Sequence, residues 1–319
     1  MKQPLVLAVV GPTASGKTTV SLLLAERLSA EVVSADSRQI YKHLDIGTAK
    51  PTRADRRRVK HYFVDILEPH QEYSAGQFGQ EARRVIEKVL KRGRLPILVG
   101  GSGLYVKSVI DGLFEGPGKD PVVRARLEEQ LDHEGVEGLF ETLKKVDPAA
   151  AAKMTEVKRR QVIRALEVYY ITGKPISEFH AEQETKPRFK AIQVGLKWGR
   201  EELYERISQR VDRMISDGLV DEVRGLRIKG YDRRLNALNT VGYKEVFDYL
   251  ERLRNLGDTI ALIKQNTRRF AKRQLTWFRA DKRIRWVPMS RTKTLSDAAR
   301  EIEEIFDRHQ RGEMGWKAR

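Results

Sequence analysis

The sequence predicts an α/β fold: a parallel sheet that carries a helical insertion and ends in a helical C-terminal part. Three observations predict it. Residues 4–10 (PLVLAVV) are a continuous apolar run stopped by Gly11-Pro12, as in a strand buried on both faces. Short apolar runs then alternate with helical patterns as far as about residue 103, the rhythm of a sheet wound through crossover helices. From about 118 to 187 the strand pattern stops and only helical stretches remain.

In chain order, Val20, Leu23, Leu24 and Leu28 share one face of a helix expected over 17–29. Strands are expected at 31–35 and 61–66. Ser74 is a candidate N-cap for a helix over 75–92, which Gly93 stops. A fourth strand at 95–99 runs into Gly100-Gly101-Ser102-Gly103. The turn-rich segments Gly116-Pro117-Gly118 and Glu184-Thr185-Lys186-Pro187 bound the insertion. Its helical stretches fall at 120–132, 135–146, 148–154 and 157–172. Strand character resumes at 191–196. The remainder reads as helical, with a long helix over 258–280 N-capped by Asp258, a short strand at 284–287 and an amphipathic helix from 296 onward. The domains expected are 1–117, 118–188 and 189–319.

Composition narrows the function classes. The 319 residues are 40% hydrophobic and 33% charged, and no run reaches the roughly 18–20 apolar residues of a membrane span. Residues 1–12 lack the long apolar region and cleavage site of a secretory signal, so a cytoplasmic protein is expected. With no cysteine, disulfides, thiolate zinc sites and cysteine nucleophiles are excluded. Sixty-one Lys and Arg against 44 Asp and Glu leave a net charge of +17. That excess suits a polyanionic partner, or merely a soluble basic surface, and its distribution separates the two.

Gly11-Pro12-Thr13-Ala14-Ser15-Gly16-Lys17-Thr18 matches G-x-x-x-x-G-K-[ST] in full, between a buried strand and a helix. The sheet is therefore expected to be P-loop NTPase-like. In such a loop backbone N–H groups surround a phosphate at the positive end of a helix. Lys17 would reach the outer phosphates and the Thr18 hydroxyl would ligate Mg2+. The motif does not identify the phosphate compound. An acidic Mg2+ partner at a strand end would point to nucleotide hydrolysis. Asp65 in His61-Tyr62-Phe63-Val64-Asp65 is the available candidate, so a small-molecule kinase using ATP stays open. Asp36 directly follows the second expected strand, at the end of the sheet where ligands bind. It is placed to take a proton from a nucleophile, or it caps its own turn. Ser102, at the same end, either hydrogen-bonds a leaving phosphate oxygen or caps the next helix.

The basic residues cluster. Lys264, Arg268 and Lys272 form an i, i+4 ridge joined by Arg269 and Arg273 and extended by Arg279, Lys282, Arg283 and Arg285. Ile260, Ile263, Phe270 and Trp277 make an apolar stripe on that helix and read as core. Arg53, Arg56, Arg57, Arg58 and Lys60 form a second cluster; Lys158, Arg159, Arg160 and Arg164 form a third. Single-sign ridges favour nucleic acid, and three separated patches suit a large folded RNA. The six histidines show no metal-ligand spacing, and no serine-triad pattern is present.

The chain resembles the bacterial tRNA dimethylallyltransferase family nearly end to end. The resemblance rests on GPTASGKT at 11–18, SADSRQIYKHLDIGTAKP at 34–51, LVGGSGLY at 98–105, DPVVRARLE at 120–128, RQVIRALEVYYITGKP at 160–175, NTVGYKEV at 239–246 and TRRFAKRQLTWFR at 267–279. Ser102 stands where the family often has Thr, which keeps a hydroxyl. The zinc finger of some eukaryotic relatives is absent, as the lack of cysteine requires. The resemblance implies that Gly11, Thr13, Ala14, Ser15, Gly16, Lys17 and Thr18 hold the diphosphate of dimethylallyl diphosphate. A flipped-out adenine attacks the allylic carbon through its exocyclic amine, and pyrophosphate leaves. Asp36 is then the general base and Ser102 the stabiliser of the bridging oxygen, while Lys17, Thr18 and Mg2+ neutralise the leaving group. The implied tRNA contacts are Asp36, Ser37, Arg38, Gln39, Ser102, Arg124, Arg160, Gln161, Arg164, Asn239, Thr240, Gly242, Tyr243 and Lys244, with Arg268, Arg269, Lys272 and Arg273 of the ridge. The partner implied is the anticodon stem-loop of tRNA, over which the insertion closes, and the protein is expected to act as a monomer without a membrane.

Overall fold

The computed structural model describes residues 3–113, 116–118, 120–182 and 187–312. The chain forms two compact units, Met1–Ile110 with Pro187–Arg319, and Asp111–Lys186. In chain order the elements are β1 (Leu5–Val10), α1 (Lys17–Arg27), β2 (Ala30–Ser34), α2 (Arg53–Arg58), β3 (His61–Tyr62), α3 (Ala75–Lys91), β4 (Leu95–Gly100) and α4 (Gly103–Ile110). The second unit holds α5 (Pro121–Val146), α6 (Pro148–Ala152), α7 (Arg159–Thr172) and α8 (Ile176–Glu182). The first then resumes with β5 (Lys190–Lys197), α9 (Arg200–Ser216), α10 (Leu219–Ile228), α11 (Tyr243–Leu250), α12 (Leu256–Ala280), β6 (Arg285–Pro288) and α13 (Leu295–Arg311).

The six strands form one all-parallel sheet in the order β3-β2-β4-β1-β5-β6. β1 is central, with Leu7 opposite Ile97 of β4 and Val6 opposite Ala191 of β5. A strand sends successive side chains to opposite faces. Val6, Ala8 and Val10 accordingly join one core with Phe78 and Ile86 of α3, Val109 of α4, Val211 of α9 and Phe278 of α12. Leu7 and Val9 join another with Val20 and Leu24 of α1 and Ile302 and Phe306 of α13. Both faces being covered explains why β1 reads as an unbroken apolar run. The chain leaves β1 for α1 on one face and leaves β4 for α4 on the other. The adjacent carboxyl ends of β1 and β4 thus open a crevice at a switch point, where ligands bind in such sheets. Among the described residues no helix is long and apolar enough to cross a membrane.

Several local expectations are corrected. The third strand is two residues rather than six, because Phe63 (φ 62°) and Asp65 (φ 57°) take left-handed conformations that turn the chain out of the sheet. The long helix begins earlier: Asn255 is its N-cap, accepting from the Asp258 N–H at 2.8 Å, and Asp258 lies in its first turn. Two short helices, α2 and α8, were not expected. Of the segment read as the second boundary of the insertion, Glu184-Thr185-Lys186 lies outside the described residues.

In the second unit, α5 breaks at Gly135 (φ 71°), between the two stretches read separately. Leu127, Leu139 and Leu143 of α5 pack with Val162, Ile163 and Leu166 of α7. Each such side chain contributes about 1.5–3 kcal/mol on burial, enough for a small core of its own.

Candidate active site

The phosphate loop joins β1 to α1, whose first N–H groups have no partner within the helix. Three side chains from distant segments grip the loop from outside. Gln274 of α12 accepts from Thr13 N–H at 2.8 Å and donates to Gly101 O at 2.8 Å, tying this loop to the one after β4. Trp198 donates its indole N–H to Ser15 O at 2.9 Å, and Arg206 of α9 donates Nε to Ala14 O at 2.9 Å. Ala14 sits at φ 61°, a conformation that costs an L-residue roughly 1–2 kcal/mol and that these bonds hold. The Thr13 amide is spent on Gln274, a correction to its expected place among the diphosphate donors; with loop carbonyls engaged outward, the amides after it remain for an anion. The Ser15 hydroxyl is fully buried and has no partner among the described residues, a donor suited to a phosphate oxygen.

Charge points the same way. Lys17 Nζ donates to Pro12 O at 2.5 Å. Desolvation in the cleft, with Arg210 of α9 as second cause, brings its ammonium down to about 7 against the opposing pull of Asp36. Arg210 is itself lowered by burial and by Arg213, and raised by Asp36. Two desolvated cations that repel one another are costly until an anion joins them. Arg206, Arg210 and Trp198 were not singled out in the sequence.

Asp36 and Ser102 come together across β2 and β4. Ala35 N–H donates to Val99 O at 2.7 Å and Ser102 N–H to Ala35 O at 3.3 Å. The approach is so close that a Cβ on Gly100 would lie 2.1 Å from Ala35 O. The Ser102 hydroxyl accepts from Ser37 N–H at 3.0 Å and lies 3.2 Å from the Ser37 hydroxyl. Asp36 Oδ1 accepts from the N–H groups of Arg38 (2.9 Å) and Gln39 (3.4 Å). Asp36 therefore caps its own turn with one oxygen, and among the described residues the other accepts no hydrogen bond.

The residues assigned to tRNA divide into outward and inward sets. Arg38 donates to Asn236 O at 2.5 Å. Gln39 is buried, its amide spent on Ser34, Thr48 and Ala49, so its side chain holds the loop rather than facing outward. Tyr243 is also a correction: it has no exposed surface and donates to Glu222 at 2.6 Å. Gly242 is buried and donates to Glu245, whereas Asn239 and Lys244 are exposed and Thr240 is half-buried. On α12, Arg269, Lys272 and Arg273 are exposed and Arg268 lies over the Tyr204 ring. Lys264 is neutralised by Asp212 at 2.6 Å, so the ridge starts one turn later than its sequence suggests.

Phe270 and Trp277 are 38% and 48% exposed rather than core. The buried stripe runs through Ile263, Ala271, Gln274 and Phe278, one position round the helix. Trp277 instead covers Gly103, where a Cβ would meet its ring at 2.2 Å. An aromatic face beside Ser102 is thus left for stacking, flanked by arginines.

The 53–60 cluster is partly paired, Arg56 with Asp65 and Arg58 with Glu26. Burial pulls the Asp65 carboxyl upward, but Lys50 and Arg56 outweigh it and hold the group below the usual carboxylate range. Committed to those ion pairs, it is not the acidic Mg2+ partner that a kinase reading needed. In the second unit, Arg124 and Arg164 both donate to the buried Glu167, and Arg164 also to Pro117 O. Arg160 and Gln161 are exposed.

Desolvated cations at the phosphate end of a parallel sheet, faced by a carboxylate with one free oxygen, make this a group-transfer enzyme of the P-loop class. The IPP transferase family model matches residues 39–281, and the chain belongs to that family. A tRNA dimethylallyltransferase of Pelotomaculum thermopropionicum is 48% identical over 302 residues, 94% of this chain and 96% of that one. One from Geobacter metallireducens is 46% identical over 280 residues, 88% of this chain and 91% of that one. Among solved structures, a tRNA isopentenylpyrophosphate transferase from Bacillus halodurans is 39% identical with a TM-score of 0.70, covering 98% and 99% of the two chains. A eukaryotic dimethylallyltransferase acting on tRNA is 26% identical with a TM-score of 0.83, covering 99% of this chain and 82% of that one.

Proposed function

We propose that the protein transfers the dimethylallyl group of dimethylallyl diphosphate to the N6 amine of the adenosine 3′-adjacent to the anticodon in tRNA. The observation that carries the site assignment is the desolvated Lys17–Arg210 pair at the phosphate loop, with Asp36 opposite. The loop amides and the Ser15 hydroxyl bind the diphosphate and the two cations take up its charge. The adenine leaves its stack to reach the crevice, a step that costs least in a loop. Its amine bonds to the allylic carbon, the carbon–oxygen bond to the diphosphate breaks, and the amine proton passes to Asp36 Oδ2. Ser102 donates to the bridging oxygen as that bond lengthens. Among the described residues no group of three or more His, Asp or Glu gathers as a metal site. The Thr18 hydroxyl is the side chain that would hold Mg2+ here, and the ion would supply further charge neutralisation to the leaving group.

The direct test mixes the protein with Mg2+, radiolabelled dimethylallyl diphosphate and unmodified tRNA, with and without ATP. Label enters tRNA without ATP. ATP consumption with unlabelled tRNA would turn the reading to the kinase.

Two further results are expected. Lys17 must be charged to hold a diphosphate, and its ordinary value of 10.5 is lowered to about 7 in the free protein. Below about pH 7 the charge is already present; above it each binding event must first add a proton. Calorimetry with pyrophosphate between about pH 6 and pH 9 therefore shows affinity falling by up to tenfold per unit above pH 7, with proton uptake. The ligand's own ionisation runs in the opposite direction and is subtracted from its separate titration; a corrected profile that stays flat or rises refutes the assignment. Neutralising Arg268, Arg269, Lys272 and Arg273 together weakens tRNA binding and flattens its dependence on salt by about 0.7–0.9 for each phosphate no longer neutralised. An unchanged slope would make the ridge ordinary surface.

A further inference from the structure

The loop between Asp36 and α2 contains one carboxylate-centred cluster that the transfer chemistry does not use. Glu222, on the first turn of α10, accepts from three consecutive N–H groups: Asp45 at 3.0 Å and Ile46 at 2.7 Å on Oε2, and Gly47 at 3.2 Å on Oε1. Tyr243 adds a fourth bond, to Oε1 at 2.6 Å. Successive N–H groups converging in this way form an anion-binding nest, and here the anion is built into the chain. The Tyr243 ring closes over Gly47 so tightly that a Cβ there would lie 2.4 Å from it.

What this clamp holds is close to the reaction. The next carbonyl, Thr48 O, accepts from Arg210 at 3.4 Å and from the Gln39 amide at 3.3 Å, and Ala49 O accepts from the same amide at 3.3 Å. Gln39 in turn closes the Asp36 turn through its backbone N–H. Lys50 fixes the far side of the loop on Tyr41 O at 2.8 Å, Asp45 at 2.5 Å and Asp65 at 2.5 Å. Two non-glycine residues of this stretch, His43 (φ 66°) and Ala49 (φ 45°), are left-handed, a conformation that persists only when its surroundings over-determine it.

We propose that Glu222 is a positioning residue of the transfer: by clamping residues 45–47 it fixes the Thr48 carbonyl that holds Arg210, and with it Gln39, whose side chain bonds that carbonyl and whose backbone N–H steadies the Asp36 turn. The inference rests on the reading of Lys17 and Arg210 as the diphosphate site.

Glu222→Gln keeps the shape but sets an amide NH2 against donors, so the nest is no longer satisfied. Arg210 loses its fixed anchor, and Lys17 is relieved of the positive charge it faces from α9, leaving Asp36, from the loop after β2, as the charged group opposite. The test measures pyrophosphate binding by calorimetry from about pH 6 to pH 9, with thermal melting to verify folding. Glu222→Gln is expected to weaken binding about tenfold at pH 7 and to move the pH at which affinity falls upward; Glu222→Asp, which keeps the charge, shows a smaller change in the same directions. A loss of stability alone would not move that pH. If Glu222→Gln does not fold, Glu222→Asp carries the test. A wild-type pH profile and affinity in a folded variant overturns the positioning role. Failure of the wild-type protein itself to bind pyrophosphate would instead overturn the diphosphate site beneath it.

Discussion

Asp36→Asn is expected to lower turnover by about a hundred- to ten-thousand-fold, the range a positioned general base supplies. The substitution isolates that role because the two Asp36 oxygens do different things. Oδ1 caps the turn by accepting from Arg38 and Gln39, and an asparagine oxygen can do the same. The second oxygen, which accepts the proton, becomes an NH2 group with no basic lone pair. Affinity for a tRNA stem-loop should stay within about twofold, and the melting temperature should hold. Asp36→Ala loses turnover equally but also leaves the turn amides uncapped, at a cost of about 1 kcal/mol in stability. A linked effect has a definite sign. Asp36 raises Lys17, so its neutralisation moves the pH at which pyrophosphate binding fades to a lower value. Single-turnover rates near wild type in Asp36→Asn would remove Asp36 from the chemistry.

Arg210→Gln should raise the KM for dimethylallyl diphosphate by roughly 10- to 150-fold at neutral pH, the equivalent of losing one charged hydrogen bond worth about 1.5–3 kcal/mol. Its diagnostic is the interaction with pH. Arg210 lowers Lys17, so removing it raises the Lys17 value and keeps that lysine charged further into the alkaline range. The deficit against wild type should therefore shrink as the pH rises from about 7 to about 9. A deficit constant across that range means that Arg210 touches the ligand but exerts no field at Lys17, and no deficit means that the diphosphate lies elsewhere.

The difference between Asp36 and Arg210 shows what the sequence made legible. The phosphate loop, Asp36 and Ser102 follow strand ends, and a strand end is readable because the apolar run before it is local. Arg210 and Arg206 lie in REELYERISQR, where Glu201, Glu202 and Glu205 alternate with arginines. Such a helix has the pattern of any solvated face, and only its packing against Ala14 and Thr48 reveals a task. Gln274 was hidden for the same reason: its partners, Thr13 and Gly101, are 261 and 173 residues away. Where the reading failed outright, a tertiary interaction overrode a local signal. Asp65 leaves the expected strand to pair with Lys50 and Arg56. Phe270 and Trp277 are apolar at helical spacing, yet the buried side of α12 is set by the polar strut Gln274.

The strand order has a consequence for how the molecule is made. β1 is synthesised first but sits between β4 and β5, partners that begin at residues 95 and 190. At about 5–20 residues per second, the interval between those partners is on the order of 5–20 seconds. During it the nascent sheet exposes one side of its central strand, while residues 111–186, with a core of their own, emerge and condense. Pairings between residues so distant in the chain form late and slowly, and α9 and α12, which grip the phosphate loop, follow even later. A ribosome stalled before residue 190 therefore presents an open apolar strand edge, the kind of surface that chaperones retain and that nucleates aggregation.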